Sequence, residues 1–197
     1  MKLCVLQGTF NPIHKAHLAM ADYVKKNYDY DRILFVPAYM PPHKKFDTKM
    51  AKHRFQMVKL ALGDEKFFEI SDFEFQNERF SYTYLTILEL YKKYKIDGKI
   101  GFIIGSDAFE KIESWYETDK LKELVNFIVF PRETRINGAG FASLQNKGYK
   151  FTLTKMEPIE LSSTELREKL VKKQSVSAFV PDTVLEYINK NELYRQK

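Results

Sequence analysis

Leu3-Cys4-Val5-Leu6-Gln7-Gly8-Thr9-Phe10-Asn11-Pro12-Ile13-His14-Lys15-Ala16-His17 is the stretch whose reading decides the fold. Its apolar run stops at Gly8-Thr9 and reads as a fully buried strand ending in a turn. Pro12 fits the approach to a helix N-terminus, where a missing N–H costs nothing. From His17 onward, Leu18, Ala19, Met20, Ala21, Tyr23 and Val24 suit a helix with a broad buried face. A glycine turn and two histidines therefore sit where a strand hands over to a helix. Free backbone N–H groups and the positive end of the helix dipole make such a junction attractive to phosphate.

His14 and His17 are three residues apart, so a first helical turn puts both on one face. Imidazoles there can donate hydrogen bonds to phosphate oxygens as charge builds during phosphoryl transfer. The alternative is that one of them caps the helix or packs. Zinc fits poorly, because no glutamate completes an H-E-x-x-H and no cysteine cluster exists; no protein-held metal is expected. A dinucleotide fingerprint also fails, since Gly8 has no following G-x-x-G.

At 197 residues the chain reads as one domain, 1–197, with a small C-terminal helical part over about 160–197. A composition of 44% hydrophobic and 29% charged residues excludes a disordered chain. The apolar run before Gln7 is too short for a signal peptide, and no stretch approaches the length of a membrane span. Cys4 is the single cysteine, so no internal disulfide forms and it is expected to pack in the core. These features lead to a cytoplasmic expectation. A net charge of +6 favours anionic partners. The lysine pairs are scattered and no RNA-binding fingerprint or helix-turn-helix appears, so small phosphorylated substrates are expected and nucleic acid is not.

Along the chain, Arg32–Val36 reads as a second buried strand. The segment from Ala38 to Phe46 is a loop, because Pro41-Pro42 excludes helix and central strand. It presents His43 and Lys44 as phosphate-binding cations. Lys49–Leu62 has helical periodicity, and Phe67–Ser71 is a third strand that Phe73-Glu74-Phe75 extends or flanks. Ser81 or Thr83 caps a helix over roughly Tyr84–Tyr94. Lys99–Ile104 is the next buried strand, and its Gly105-Ser106-Asp107 repeats the logic of the opening turn. Asp107 there either caps a helix or holds ribose hydroxyls. Trp115-Tyr116 closes a short helix, with Trp115 either core or a stacking platform. Asn126–Phe130 is a fifth strand with Pro131-Arg132 at its end. Asn137–Gly140 reads as a flexible turn and Lys150–Leu153 as a sixth strand. Ser162 opens a helix as its cap, with Glu165 completing a capping box. That helix exposes Ser163, Thr164 and Arg167 to a phosphate. A final helix starts at Asp182. The pattern as a whole is α/β: a Rossmann-like, doubly wound, mostly parallel sheet with helices on both faces.

Gly8-Thr9-Phe10-Asn11-Pro12-Ile13-His14-Lys15-Ala16-His17 resembles the G-x-F-x-P-x-H-x-G-H signature of the HxGH-motif nucleotidyltransferases. Ala16 stands where that family usually has Gly, Asn11 where Asp is common and Gln7 where a further Gly is common. Several further motifs follow in one order: Pro37-x3-Pro41-Pro42-His43-Lys44, Ser81-Tyr82-Thr83, Gly105-Ser106-Asp107, Trp115-Tyr116 and Ser162-Ser163-Thr164-x2-Arg167. Together they resemble bacterial nicotinate-nucleotide adenylyltransferases from Leu3 to about Tyr194. One more departure is Leu85, where the family commonly has Asp.

The resemblance implies transfer of AMP from ATP to nicotinate mononucleotide, giving deamido-NAD and pyrophosphate, with Mg²⁺ accompanying ATP. It assigns His14 and His17 to the triphosphate and transition state, and Arg167 with Ser162, Ser163 and Thr164 to the outer phosphates. Gly8, Thr9 and Phe10 fall on the ATP side, as do Gly105 and Asp107 at the adenosine. Lys44 steadies the acceptor phosphate or the reacting centre. The acceptor side takes Asn11, His43, Ser106 and Arg132, with Trp115 stacking on the pyridine and Thr83 and Tyr116 near its carboxylate. A pantetheine-phosphate adenylyltransferase and a non-catalytic nucleotide-binding regulator stay open as alternatives. So do the preference for nicotinate over nicotinamide and a homo-oligomeric state.

Overall fold

The computed structural model describes residues 1–42, 47–76, 80–132 and 138–195. Its elements are β1 (Leu3–Gly8), α1 (Lys15–Asn27), β2 (Arg32–Pro37), α2 (Thr48–Leu62), β3 (Phe68–Ile70), α3 (Phe73–Gln76), α4 (Thr83–Lys93) and β4 (Ile100–Gly105). They continue with α5 (Ser106–Phe109), a 3₁₀ turn (Ile112–Ser114), α6 (Thr118–Leu124), β5 (Val125–Phe130), α7 (Gly138–Asn146), β6 (Phe151–Leu153), α8 (Ser163–Val171) and α9 (Asp182–Lys190). Among the described residues the strands form one six-stranded sheet in the order β3-β2-β1-β4-β5-β6. Every pairing in it is parallel. This is the Rossmann-like, doubly wound architecture expected.

The strands read as unbroken apolar runs because both faces of the sheet are covered. On one face Cys4, Leu6, Ile33, Phe35 and Ile128 pack with Met20 of α1, Met57 of α2, Leu166 of α8 and Val184 of α9. On the other, Leu3, Val5, Leu34 and Phe102 pack with Ile87 of α4, Leu121 of α6 and Phe141 of α7. Cys4 is fully buried in the first layer, as expected. The C-terminal helices join that same layer, and α9 rests on α2 through a hydrogen bond of 2.9 Å between His53 Nδ1 and the Tyr187 hydroxyl.

Four local expectations are corrected. Phe73-Glu74-Phe75 does not continue the third strand; it forms the helical turn α3, which turns the Glu74 side chain into the protein. Neither Ser81 nor Thr83 caps α4: the N-cap is Tyr82, with no side-chain bond. The Thr83 hydroxyl donates instead to Gln7 Oε1 at 2.7 Å, and the Ser81 hydroxyl accepts the Met40 N–H at 3.1 Å. Gly138–Gly140 is not a turn but the first turn of α7, held because Phe141 and Leu144 bury against the sheet; Asn137 lies outside the described residues. Helix α1 starts at Lys15, two residues before the expected start, with His14 in the N-cap position. Sequence reasoning passed over α6.

Gly101 in β4 makes room for Tyr30, since a Cβ there would stand 2.3 Å from the phenol oxygen and 2.5 Å from Cζ. Gly101→Ala is expected to cost about 1–3 kcal/mol through this overpacking. Urea unfolding checks it, and combining it with Tyr30→Leu should cost less than the sum of the two changes.

Candidate active site

Strands β1 and β4 are parallel neighbours, and they end at Gly8 and Gly105. The helix after β1 packs on one face of the sheet, and Phe109, which ends the short helix after β4, packs on the other. The carboxyl ends of the two strands therefore border the switch-point crevice where open α/β sheets take their ligands.

The turn after β1 is tightly built. A Cβ on Gly8 would come within 3.0 Å of the Phe10 ring. Phe10 adopts a left-handed φ of 48° and is buried, its ring edge-on to His17 at 5.0 Å between centroids. It thus supports His17 from behind. The His14 and His17 rings stack at 3.7 Å with an interplanar angle of 26°, which confirms the shared face. The His14 backbone N–H donates to His17 Nδ1 at 3.3 Å. That bond makes Nδ1 the acceptor, so the His17 proton sits on Nε2. His14 Nδ1 is buried and has no hydrogen-bond partner among the described residues.

Both imidazoles are neutral at pH 7. Burial, and then the positive charge of Arg132, pull His14 down to about 4. Burial, His14 and Arg132 hold His17 well below its ordinary value. Arg132 itself is anchored by its backbone N–H, which donates to Ser106 Oγ at 3.0 Å, and by Nη1, which donates to the Leu161 carbonyl at 3.2 Å. Its Nε lies 3.6 Å from Asp107 Oδ1. Gly105 permits this approach: a Cβ there would meet Asp107 Oδ1 at 2.6 Å and Arg132 Nε at 3.1 Å. Asp107 thus faces Arg132 rather than capping α5, whose N-cap is Gly105. A narrow crevice beside Arg132 is lined by Ala16, Met20, Phe130, Met156 and Ile159.

Helix α8 closes the site from the C-terminal side. Ser162 caps it as expected, accepting the Glu165 N–H at 3.2 Å, while Glu165 Oε2 accepts the Ser162 N–H at 3.1 Å. The Ser163 hydroxyl donates to the Pro12 carbonyl at 3.1 Å. Arg167 Nη1 donates to the Asn11 carbonyl at 2.9 Å and to the Ser163 carbonyl at 3.0 Å, and Nη2 donates to Thr164 Oγ1 at 3.1 Å. Arg167, Ser163, Thr164 and Asn11 are thus one connected group against the histidine turn.

The half-buried Trp115 packs edge-on against Phe102 at 6.1 Å. The exposed Tyr116 lies against Tyr82 at 4.6 Å. Thr83 opens α4 and is tied to Gln7 at the end of β1. His43 and Lys44 lie outside the described residues.

Three supporting residues escaped the sequence reading. Arg54 is buried on α2, with Nη1 donating to the Thr9 carbonyl at 2.7 Å and the Ala38 carbonyl at 2.6 Å, and Nη2 to the Tyr39 carbonyl at 3.0 Å. Burial brings its pKa down to about 10, so it stays charged. Its signal was available: an arginine on the stripe shared by Ala51 and Val58 is a charge facing the core. Glu74 is buried and accepts hydrogen bonds from Gln7 and Thr86. The Tyr194 hydroxyl, donating to Asn11 Oδ1 at 2.6 Å, carries no local signal because its partner is far away in sequence.

Fold and site define a nucleotide-handling α/β protein: a phosphate-compatible helix N-terminus, two neutral imidazoles and two arginines at a switch point. Comparison with known proteins agrees. Residues 5–169 match the cytidylyltransferase-like family. A probable nicotinate-nucleotide adenylyltransferase of Caldicellulosiruptor saccharolyticus is 39% identical, with all of both chains covered. One of Clostridium botulinum is 36% identical over 98% of each chain. The fold also matches a Plasmodium falciparum nicotinic acid mononucleotide adenylyltransferase complexed with NaAD, at a TM-score of 0.79 and 24% identity, covering 98% of this chain and 97% of that one. The chain belongs to the cytidylyltransferase-like family and, within it, to the nicotinate-nucleotide adenylyltransferases.

A depressed His14 makes stability depend on pH. Between pH 6.5 and about 4 the unfolded chain takes up a proton that the native imidazole refuses. The stabilisation is therefore full above 6.5 and is lost as pH falls toward 4. Urea unfolding from pH 7.5 to 4.5 is expected to show this loss, and a His14→Gln variant should lose less over the same range.

Proposed function

We propose that the chain transfers the AMP moiety of MgATP to nicotinate mononucleotide, releasing pyrophosphate and forming deamido-NAD. The observation that carries this reading is the stacked, neutral His14–His17 pair at the N-terminus of α1, with the His17 proton directed to Nε2. In the reaction an acceptor phosphate oxygen attacks the α-phosphorus, and the bond to pyrophosphate breaks. The acceptor phosphate is already largely anionic at pH 7, its second pKa being about 6, so no general base is required. Catalysis consists of aligning two anions and stabilising charge as it develops.

His17 Nε2–H serves as a donor to the phosphate oxygens in the transition state, with His14 beside it. Arg132 and Arg167 supply the positive charge, and Ser163 and Thr164 sit with the outer phosphates. Gly105 and Asp107 sit on the adenosine side. Trp115 and Tyr116 offer aromatic surface for the pyridine, with Thr83 and Lys44 on the acceptor side. Mg²⁺ enters as the partner of ATP, held by its phosphates. Among the described residues, no helix is long and apolar enough to cross a membrane, and we assign the enzyme to the cytoplasm, where its small anionic substrates are dissolved.

Pyrophosphate release from MgATP with nicotinate mononucleotide, nicotinamide mononucleotide and phosphopantetheine in parallel tests the reading. Nicotinate mononucleotide is expected to exceed the others; release with phosphopantetheine alone, or silence with all three, would overturn it. His17→Ala should lower kcat by about 10²-fold or more through loss of a transition-state hydrogen bond. An unchanged kcat would remove His17 from the mechanism.

A further inference from the structure

Glu74 is a buried acidic side chain whose pKa burial raises, bonded to the segments that carry Gln7 and lead into α4. Glu74 Oε1 accepts from Gln7 Nε2 at 2.5 Å and from the Thr86 hydroxyl at 2.8 Å. Its Oε2 accepts the Tyr39 N–H at 3.1 Å, and the Ser81 hydroxyl adds a further bond. These donors come from the end of β1, the exit of β2 and the first turns of α4. Glu74 therefore joins these three segments.

The direction of the bonds has a consequence. With Glu74 Oε1 accepting from both Gln7 and Thr86, Gln7 turns its NH₂ toward Glu74 and its Oε1 toward Thr83. That Oε1 receives the Thr83 hydroxyl proton at 2.7 Å. A threonine hydroxyl has one proton, so Thr83 has none left to offer a ligand, and its rotor is fixed. Thr83 is left with its hydroxyl lone pairs and its backbone N–H at the start of α4, where the Tyr82 cap makes no side-chain bond. We propose that Glu74, acting through Gln7, is a positioning residue that fixes the hydrogen-bonding polarity of Thr83 and so orients the acceptor. The proposal rests on the acceptor side assigned to Thr83 above. It also accounts for Gln7 where the family commonly has Gly: the side chain is the middle of the relay.

Glu74→Gln keeps the volume but can turn an NH₂ toward Gln7. Gln7 then reverses, and the Thr83 hydroxyl swings to accept from it. The variant is expected to raise the KM for nicotinate mononucleotide about tenfold and leave the KM for MgATP within about twofold. Gln7→Ala, which spares the bonds of Glu74 to Tyr39 and Thr86, should give the same split, and the double variant no more than either alone. Loss of thermal stability in both variants with neither KM changed, or with both changed alike, would overturn the relay. A second readout stands apart from turnover. In the free wild-type protein the Gln7 side-chain amide should give two separate, exchange-protected NMR signals, and Glu74→Gln should shift or average them. Averaged signals in the wild type would overturn the relay whichever acceptor the enzyme uses. Absence of turnover in the wild type with every acceptor, alongside protected Gln7 signals, would count against the proposed reaction and leave the relay's geometry standing.

Discussion

The structure depends on the register of β1, the strand held between β2 and β4 with both faces in the core. In a sheet with one wet face, alternation alone fixes register, because a slip turns apolar residues into water. Here Cys4 and Val5 sit in opposite apolar layers, and either layer would accept the other's residue. Polar groups at the two ends of the strand do the fixing. At the start, the Lys2 N–H donates to Asp31 Oδ2 at 2.7 Å and the Asp31 N–H to the Lys2 carbonyl at 2.9 Å. At the finish, Gln7 meets Glu74 and Thr83. A one-residue shift would push Gln7 into an apolar layer and orphan buried groups at about 1–3 kcal/mol each. The bonds that register the strand therefore also determine where the histidine turn begins.

Beyond the strand, the turn has no ladder to satisfy its carbonyls, and side chains from other elements take over. Arg54 reaches the carbonyls of Thr9, Ala38 and Tyr39 from α2; Ser163 and Arg167 reach those of Pro12 and Asn11 from α8. A planar guanidinium can serve several carbonyls at fixed angles, which a lysine ammonium on its flexible stem would do less well. The arrangement also bears on ligand binding. An anion approaching this turn meets carbonyl oxygens already engaged by donors, several of them cationic, so the local field favours phosphate.

Much of the scaffold was legible because it is locally encoded. Apolar runs ending at Gly8 and Gly105, the Ser162–Glu165 capping box and Pro181 before α9 each carry their signal within a few residues. Two of the misreadings share a cause: a side chain went to a distant partner. Thr83 looked like a cap and bonds Gln7 instead; Glu74 looked like one position of an alternating strand and is the centre of a polar cluster. Asp107 offered a cap as one reading, but Gly105 is the N-cap of α5 and Asp107 lies 3.6 Å from Arg132 Nε. The histidine pair was legible as spacing, but its tautomer and neutrality depend on burial and on Arg132, which no spacing records.

The neutrality of that pair fits the chemistry better than charge would. Two imidazolium ions would hold the triphosphate tightly before reaction as well as during it, and uniform binding of this kind does not accelerate the chemical step. In this site the fixed positive charge comes from Arg132 and Arg167. In the proposed reaction the histidines would add directed N–H bonds whose value rises as negative charge builds on the phosphate oxygens. Burial and Arg132 make protonation costly in the free protein, and bound phosphates oppose that cost. In the proposed reaction the pair would thus contribute directed donors, whose bonds strengthen as charge develops, rather than a fixed charge felt equally before and during the step.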